Sequence, residues 1–304
     1  PVENSLKDFW CLMDTAVPGL LGAWQSFRAT YVEPILNAES DTVHNVKLET
    51  GRKLRNAVGD YMLRRSKADE LDGLPPKKVF SGDSSSSKES YLSMLSSMMS
   101  GIQLKNYDEI VGAVKSIDSQ NKQGAVLASL VKLRLCGIHP DITESMNGRM
   151  EAKQFISHAY QSSKLKSLIS LLDMIKDRNE KVLIFATTKA VQAYVSMLVG
   201  IIYGLRAEIV NGDTKAVSSK SNEITRKSII DDFQKESGFG VLVMSPIAAG
   251  VGLTIVEANN VIHLERHWNP AKEAQATDRV YRIGQKRPVN VYLPMAIHPN
   301  GKSF

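Results

Sequence analysis

Hydrophobic positions along the chain follow two different rhythms. Up to about residue 160 they recur three and four apart: Leu6, Phe9, Trp10, Leu12 and Met13, then Trp24, Phe27 and Tyr31, then Leu54, Val58, Tyr61, Met62 and Leu63. That spacing predicts amphipathic helices joined at turns such as Pro18-Gly19. Residues 73–77 (GLPPK) are expected as an extended linker, because residues before proline avoid the helical region. Residues 84–87, four consecutive serines, are expected as a solvated loop. The helical rhythm resumes from 91 to about 160, with LASLVKLRLCGIHPDI (127–142) predicted as a helix ending near Gly137. After residue 161 helix and strand alternate. A helix over 164–175 precedes strand VLIFAT (182–187), a helix through Val191 and Tyr194, strand AEIV (207–210) and a helix around 224–233. Strands VLVMS (241–245), VIHLE (261–265) and VNVYL (289–293) complete the series. Short apolar strands alternating with amphipathic helices imply a parallel sheet covered on both faces. The expected architecture is one α/β domain over 161–304, preceded by a mainly helical region divided at about residue 75.

The helix between the last two strands has well-marked ends. Asn269 is a good N-cap, Pro270 suits the first helical position, Glu273 favours the positive end of the dipole and Gly284 supplies a left-handed stop, so a helix is expected over 270–283. On it Gln275, Arg279 and Arg282 fall at i, i+4 and i+7 and share one face. The preceding strand sets the Trp268-Asn269-Pro270 turn at its carboxyl edge, where open α/β sheets bind ligands. Taken alone, the charged face reads as a solvated surface, with Asp278 and Arg282 as an i, i+4 pair worth a few tenths of a kcal/mol. The small residues Ala248, Ala249, Gly250, Val251 and Gly252 after another strand alter that balance, since their backbone can approach an oxyanion closely. Both features together indicate a phosphate site.

Composition is that of a globular protein with a sizeable core: 304 residues, 43% hydrophobic and 23% charged. No apolar stretch is long enough to span a bilayer, and no membrane partner is expected. Only Cys11 and Cys136 are present, which argues against a disulfide framework and for a reducing, intracellular setting. The net charge of +6 suits a polyanionic partner.

Several chemistries are excluded by spacing. Gly250-Val251-Gly252 begins a dinucleotide fingerprint, but Ile255 stands where its third glycine belongs. No GxxxxGK[ST] occurs, so the chain carries no P-loop. Asp108-Glu109 follows a polar stretch and reads as helix surface rather than a magnesium box. Cys136 and His139 lack a second ligand pair, and a packed thiol is expected there. In HLERH, Leu264 occupies the place of the glutamate that a zinc protease needs between His263 and His267. No metal site is expected.

The motifs together resemble the Swi/Snf-like DNA-dependent ATPases of helicase superfamily two, over nearly the whole chain. PVEN (1–4) is similar to the end of motif III, residues 51–77 to the segment joining the two lobes, and LRLCGIHPDI to the LRxxCxHPxL helix. KVLIFATT (181–188) resembles motif IV, NGDT (211–214) the strand end that follows it, and residues 245–253 motif V; QATDRVYRIGQ (275–285) is close to motif VI. The chain departs from the pattern at Glu265 and His267, where aspartate is usual, and at Pro246, where threonine is common.

The resemblance implies two RecA-like lobes that sandwich ATP. The first carries the P-loop and the magnesium box, and the second inserts arginine fingers. By motif position Arg279 and Arg282 are the catalytic fingers, and Gln275, Gly250 and Gly252 line the nucleotide cleft. Trp268, Ser245, Thr187 and Lys189 are the implied DNA contacts. Residues 1–75 are then the helical end of the first lobe with its protrusion, 76–160 a linker and second protrusion, and 161–304 the C-terminal lobe. The implied partners are double-stranded DNA, a protein-DNA complex as substrate, and an N-terminal lobe lying upstream of a chain that begins inside motif III. ATP and Mg2+ serve the intact protein, and none is expected bound to this chain alone. A non-catalytic nucleic-acid-binding or scaffold module with the same lobe fold is the alternative, and a strand-separating helicase is a third reading.

Overall fold

The computed structural model describes residues 5–63, 73–82, 92–115, 122–142, 150–216, 224–248 and 252–300. The PVEN stretch at 1–4, compared above with motif III, the serine run at 84–87 and Gly250 lie outside the described residues. The chain divides into two compact units, Pro1–Gly73 and Leu74–Phe304.

The first unit is helical, as its rhythm predicts, with α1 (Leu6–Ala16), α2 (Trp24–Phe27), α3 (Glu33–Leu36) and α4 (Val43–Val58). Ser5 caps α1, its hydroxyl accepting from the Asp8 amide. A π-helical turn at Arg28–Val32 stands just before Pro34, whose missing N–H interrupts the ordinary ladder. Met13, Phe27, Leu54 and Val58 form the small core. Trp10, Trp24 and Tyr31 flank it, and the Trp10 indole donates to the Gly22 carbonyl at 3.0 Å.

The second unit is built on a six-stranded sheet. Its strands are β1 (Lys77–Ser81), β3 (Lys181–Phe185), β4 (Glu208–Val210), β5 (Gly240–Met244), β6 (Asn260–His263) and β7 (Val289–Leu293), in the order β1-β7-β6-β3-β5-β4, with every pairing parallel. Burial on both faces explains the apolar runs Val182–Phe185 of β3 and Val241–Met244 of β5. Val182, Ile184, Val241, Val243 and Ile262 face one core, while Leu183, Phe185, Leu242, Met244 and Val261 face the other.

On the first face lie α8 (Ala152–Ala159), α9 (Ser163–Asp177) and α10 (Lys189–Tyr203), which contribute Phe155, Leu165, Leu168, Leu172, Tyr194 and Val195. On the second lie α11 (Arg226–Lys235) and α12 (Pro270–Thr277), which contribute Ile229, Ile230, Phe233 and Ala276. The helix ends follow their capping residues. Ser162 caps α9 through the Leu165 amide, Thr225 and Ser228 form a capping box on α11, and Gly204 ends α10 in the left-handed region.

Three strands depart from the sequence expectation. The linker expected at 73–77 runs into β1, which pairs with β7 from Lys77 opposite Val289 to Ser81 opposite Leu293. Only Phe80 of β1 is buried, stacked on Tyr292 at 5.4 Å, so an edge strand with one buried side chain shows no alternation to read. The chain then passes so close to a short helix, α5 (Leu92–Leu95), that a Cβ on Gly82 would lie 2.7 Å from the Leu95 carbonyl oxygen. The region expected as wholly helical also contains β2 (Ser96–Met98), paired in parallel with β8 (Met295–Ile297). Alongside it run α6 (Gly101–Lys115) and α7 (Lys122–Ile138), the latter ending where Gly137 was expected to end it. Residues 76–160, set apart in the sequence reading, therefore pack into the same compact unit as 161–304.

Candidate functional site

The arginine helix is shorter than its capping signals predict. Asn269 caps α12 as expected, its side chain accepting from the Ala271 amide at 2.9 Å, but the helix ends at Thr277 rather than 283. One tertiary partner and local turn bonds take the carbonyls that a longer helix would need. The Arg279 carbonyl accepts from the Ile255 amide at 2.9 Å, and the Val280 carbonyl accepts from the Arg282 amide at 3.0 Å and the Gln285 side chain at 3.3 Å. Arg279 and Arg282 thus stand on a compact turn ending at Gly284 (φ 101°), and the shared helical face with Gln275 does not exist. Gln275 is exposed on α12, Arg279 is buried and Arg282 is half-buried. Burial and the neighbouring Arg282 guanidinium lower the Arg279 pKa, against the pull of Asp278.

That turn is stapled to the glycine-containing loop after β5. Arg282 Nη1 donates to the Leu253 carbonyl at 3.4 Å, beside Gly252, which adopts φ 60°. Gln285 is a buried clasp: its Nε2 reaches the Val256 and Ala258 carbonyls at 3.0 and 2.8 Å, and its Oε1 accepts from the Arg287 amide. Residues 253–258, which follow the small-residue run, and the arginine turn are therefore one connected piece.

A separate cluster forms where β3 and β6 end. Glu265, fully buried, accepts from the Thr187 amide at 2.7 Å, the Thr188 amide at 2.8 Å and the Thr188 hydroxyl at 2.9 Å. Arg134 reaches in from α7. Its Nε lies 3.6 Å from the Glu265 carboxylate, its Nη2 donates to the Thr187 hydroxyl oxygen and, at 2.8 Å, to the Arg266 carbonyl, and its guanidinium sits 5.7 Å from the Trp268 ring centroid. Trp268 itself is 64% exposed. Arg266 grips the Glu273 carboxylate with two hydrogen bonds at 2.9 Å. Burial pushes that carboxyl up, but Arg266, His263 and the His267 amide outweigh it and hold it below the usual range.

Of the remaining expected residues, Ser245 follows β5 with its amide bound to the Val210 carbonyl at 2.9 Å. Lys189 opens α10 and forms an exposed pair with Asp213 at 2.7 Å. The structure thus joins Thr187 with Trp268, and Gly252 with Arg279 and Arg282, as two distinct groups. Arg134 was missed. Arg134 stood within a quoted motif with no signal of what it touches, and Glu265 was noted only as a departure from pattern.

His139, Asp141 and His158 approach one another within metal-ligand range. Both ring nitrogens of His139 are already committed, Nε2 to the His158 carbonyl and Nδ1 to the Asp141 amide, which leaves it no lone pair for a metal. Burial and its stacked neighbour His158 lower the His139 pKa to about 4. Cys136 is a packed thiol whose pKa burial pushes up to about 12.

A parallel sheet with helices on both faces and phosphate-type elements on the loops beyond its strands is the architecture of a RecA-like helicase lobe. Residues 163–284 match the helicase conserved C-terminal domain family and residues 1–142 the SNF2-related domain family. The chain belongs to the Swi/Snf-like family of helicase superfamily two, whose members are DNA-dependent ATPases. It is 35% identical to the Zorya protein ZorD of Escherichia coli, over 97% of this chain and 25% of that protein. It is 28% identical to the DNA repair and recombination protein RAD26 of Saccharomyces cerevisiae, over 97% of this chain and 26% of that protein. The Sulfolobus solfataricus SWI2/SNF2 ATPase core in complex with dsDNA superposes with a TM-score of 0.54 at 26% identity, covering 98% of this chain and 56% of that one. The chain spans about a quarter of the length of these curated relatives.

Proposed function

We propose that the intact protein is an ATP-driven translocase on double-stranded DNA and that this chain supplies the second lobe's half of the ATP site. In this reading Arg279 and Arg282 offset the charge that develops on the transferring phosphoryl group, and Gln275, Gly250 and Gly252 line the nucleotide cleft. Trp268, Ser245, Thr187 and Lys189 face the DNA. Thr187 would act through its hydroxyl hydrogen, since its oxygen accepts from Arg134. Lys189 would exchange Asp213 for a phosphate, because an exposed ion pair is worth little.

The observation that carries the reading is the staple between the two loops: the Ile255 amide on the Arg279 carbonyl and Arg282 on the Leu253 carbonyl. It ties the arginine turn to residues 253 and 255, which suits groups that must meet a phosphate in fixed geometry. No GxxxxGK[ST] occurs in the chain, so the β- and γ-phosphate cradle and the Mg2+ ligands are assigned to a preceding lobe. Residues 1–75 would be the helical end of that lobe and 76–160 the second protrusion. The chain alone is then expected to hydrolyse no ATP, and DNA as substrate would locate the protein in a nucleoid or nucleus.

The test is ATP turnover by the intact protein with and without duplex DNA. Arg279→Ala or Arg282→Ala should lower stimulated turnover by about a thousandfold or more, the usual scale for such fingers. A loss below about threefold in both variants removes them from catalysis. An intact protein that DNA does not stimulate would leave the lobe a scaffold.

A further inference from the structure

Under the Trp268 turn lies a pocket of about 250 Å³, lined by Arg134 and Ile138 of α7, Lys164 of α9 and the stretch from Glu265 to Trp268. Arg134 and Arg266 have partners of their own, as described above. Lys164 does not: only 5% exposed, its ammonium donates no hydrogen bond to, and forms no ion pair with, the described residues. It also stands in the first turn of α9, the end of the helix dipole that disfavours a cation. Burial pulls its pKa down to about 8, Glu265 pulls it up, and Arg266 and Arg134 push it further down. A buried lysine without a hydrogen bond at the wrong end of a helix is destabilising, and the attraction of Glu265 offsets only part of that cost.

The local charges point to what would. Arg134, Lys164 and Arg266 face the carboxylates of Glu265 and Glu273, which leaves one positive charge unmatched. We propose that this pocket is a subsite for one phosphodiester of the DNA backbone, held by Lys164 Nζ with Trp268 packed against the adjoining sugar or base. A phosphodiester carries the single negative charge that closes the balance, and its oxygens accept from an ammonium in any rotation. The terminal phosphates of a nucleotide would bring excess negative charge into a pocket that already holds Glu265. The proposal rests on the DNA reading of the previous subsection and adds to it a residue and a contact chemistry.

Fluorescence anisotropy of the 304-residue chain on a short duplex, across a salt series, tests it. Lys164→Gln should weaken binding roughly three- to tenfold on any sequence and reduce the slope of log K against log salt by about 0.9, the value for one phosphate contact. Lys164→Arg should retain most of both. If the unaltered chain binds no duplex, the DNA reading itself fails. If it binds and Lys164→Gln changes neither affinity nor slope, only the subsite fails. Should that variant not fold, NMR of 13C-methylated lysines in the unaltered chain decides: saturating duplex should raise the Lys164 pKa from about 8, and an unmoved titration overturns the assignment.

Discussion

Glu265→Ala offers the sharpest test of how the edge cluster is held. The carboxylate takes three hydrogen bonds from residues 187 and 188, at 2.7, 2.8 and 2.9 Å, and sits 3.6 Å from the Arg134 guanidinium. Hydrogen bonds to a charged group contribute about 1.5–3 kcal/mol each, but the three share one acceptor and do not add. The larger effect is what remains behind: two amides and a hydroxyl without an acceptor, and a guanidinium without its counter-charge. Removing one partner of a buried ion pair costs about 3–5 kcal/mol. The Arg134 side chain is 20% exposed, so partial screening favours the lower end. At about 2–4 °C per kcal/mol for a unit of this size, the melting transition of Leu74–Phe304 should fall by roughly 6–20 °C. Differential scanning calorimetry gives the shift, and hydrogen exchange at the Thr187 and Thr188 amides gives its location. A shift below about 2 °C with unchanged exchange at both amides would refute the claim that Glu265 fixes this loop.

Other expectations follow from the same geometry. Gln285→Ala should destabilise the second unit by about 2–4 kcal/mol in urea titration, because it strips donors from the Val256 and Ala258 carbonyls at once. A change below about 0.5 kcal/mol would mean that the clasp is incidental. Burial lowers the pKa of His263 to about 4, as it does for His139, against an ordinary 6.5. The unfolded chain therefore takes up protons that the folded one refuses between those values. Stability is full above about pH 6.5 and declines as pH falls toward 4, by about 2 kcal/mol per histidine at pH 5. His263→Asn should flatten part of that decline, and parallel urea midpoints for both proteins from pH 7 to 5 would contradict it. The thousandfold effect expected for Arg279 and Arg282 is read from steady-state ATP turnover.

Much of the fold was legible because it rests on local chemistry. Residues 241–244 announce a strand by apolar continuity, and Asn269 announces a helix start by a capping group that acts within a few residues. The edge strand at Lys77–Ser81 and the short pair of Ser96–Met98 with Met295–Ile297 were not legible, since each exists only through a partner some 200 residues away.

The same division runs through the candidate site. The sequence alone determined which motifs are present, the family they belong to, and that Trp268 begins a turn after a buried strand. It could not determine where the arginine helix stops, because the bond that stops it comes from Ile255, outside the helix altogether. Nor could it show that Arg134, Thr187, Glu265 and Trp268 converge, or that Lys164 is buried beside them without a partner. Periodicity and capping are encoded within one or two helical turns of chain. The charge balance of a pocket is fixed only when elements from three distant segments close around it.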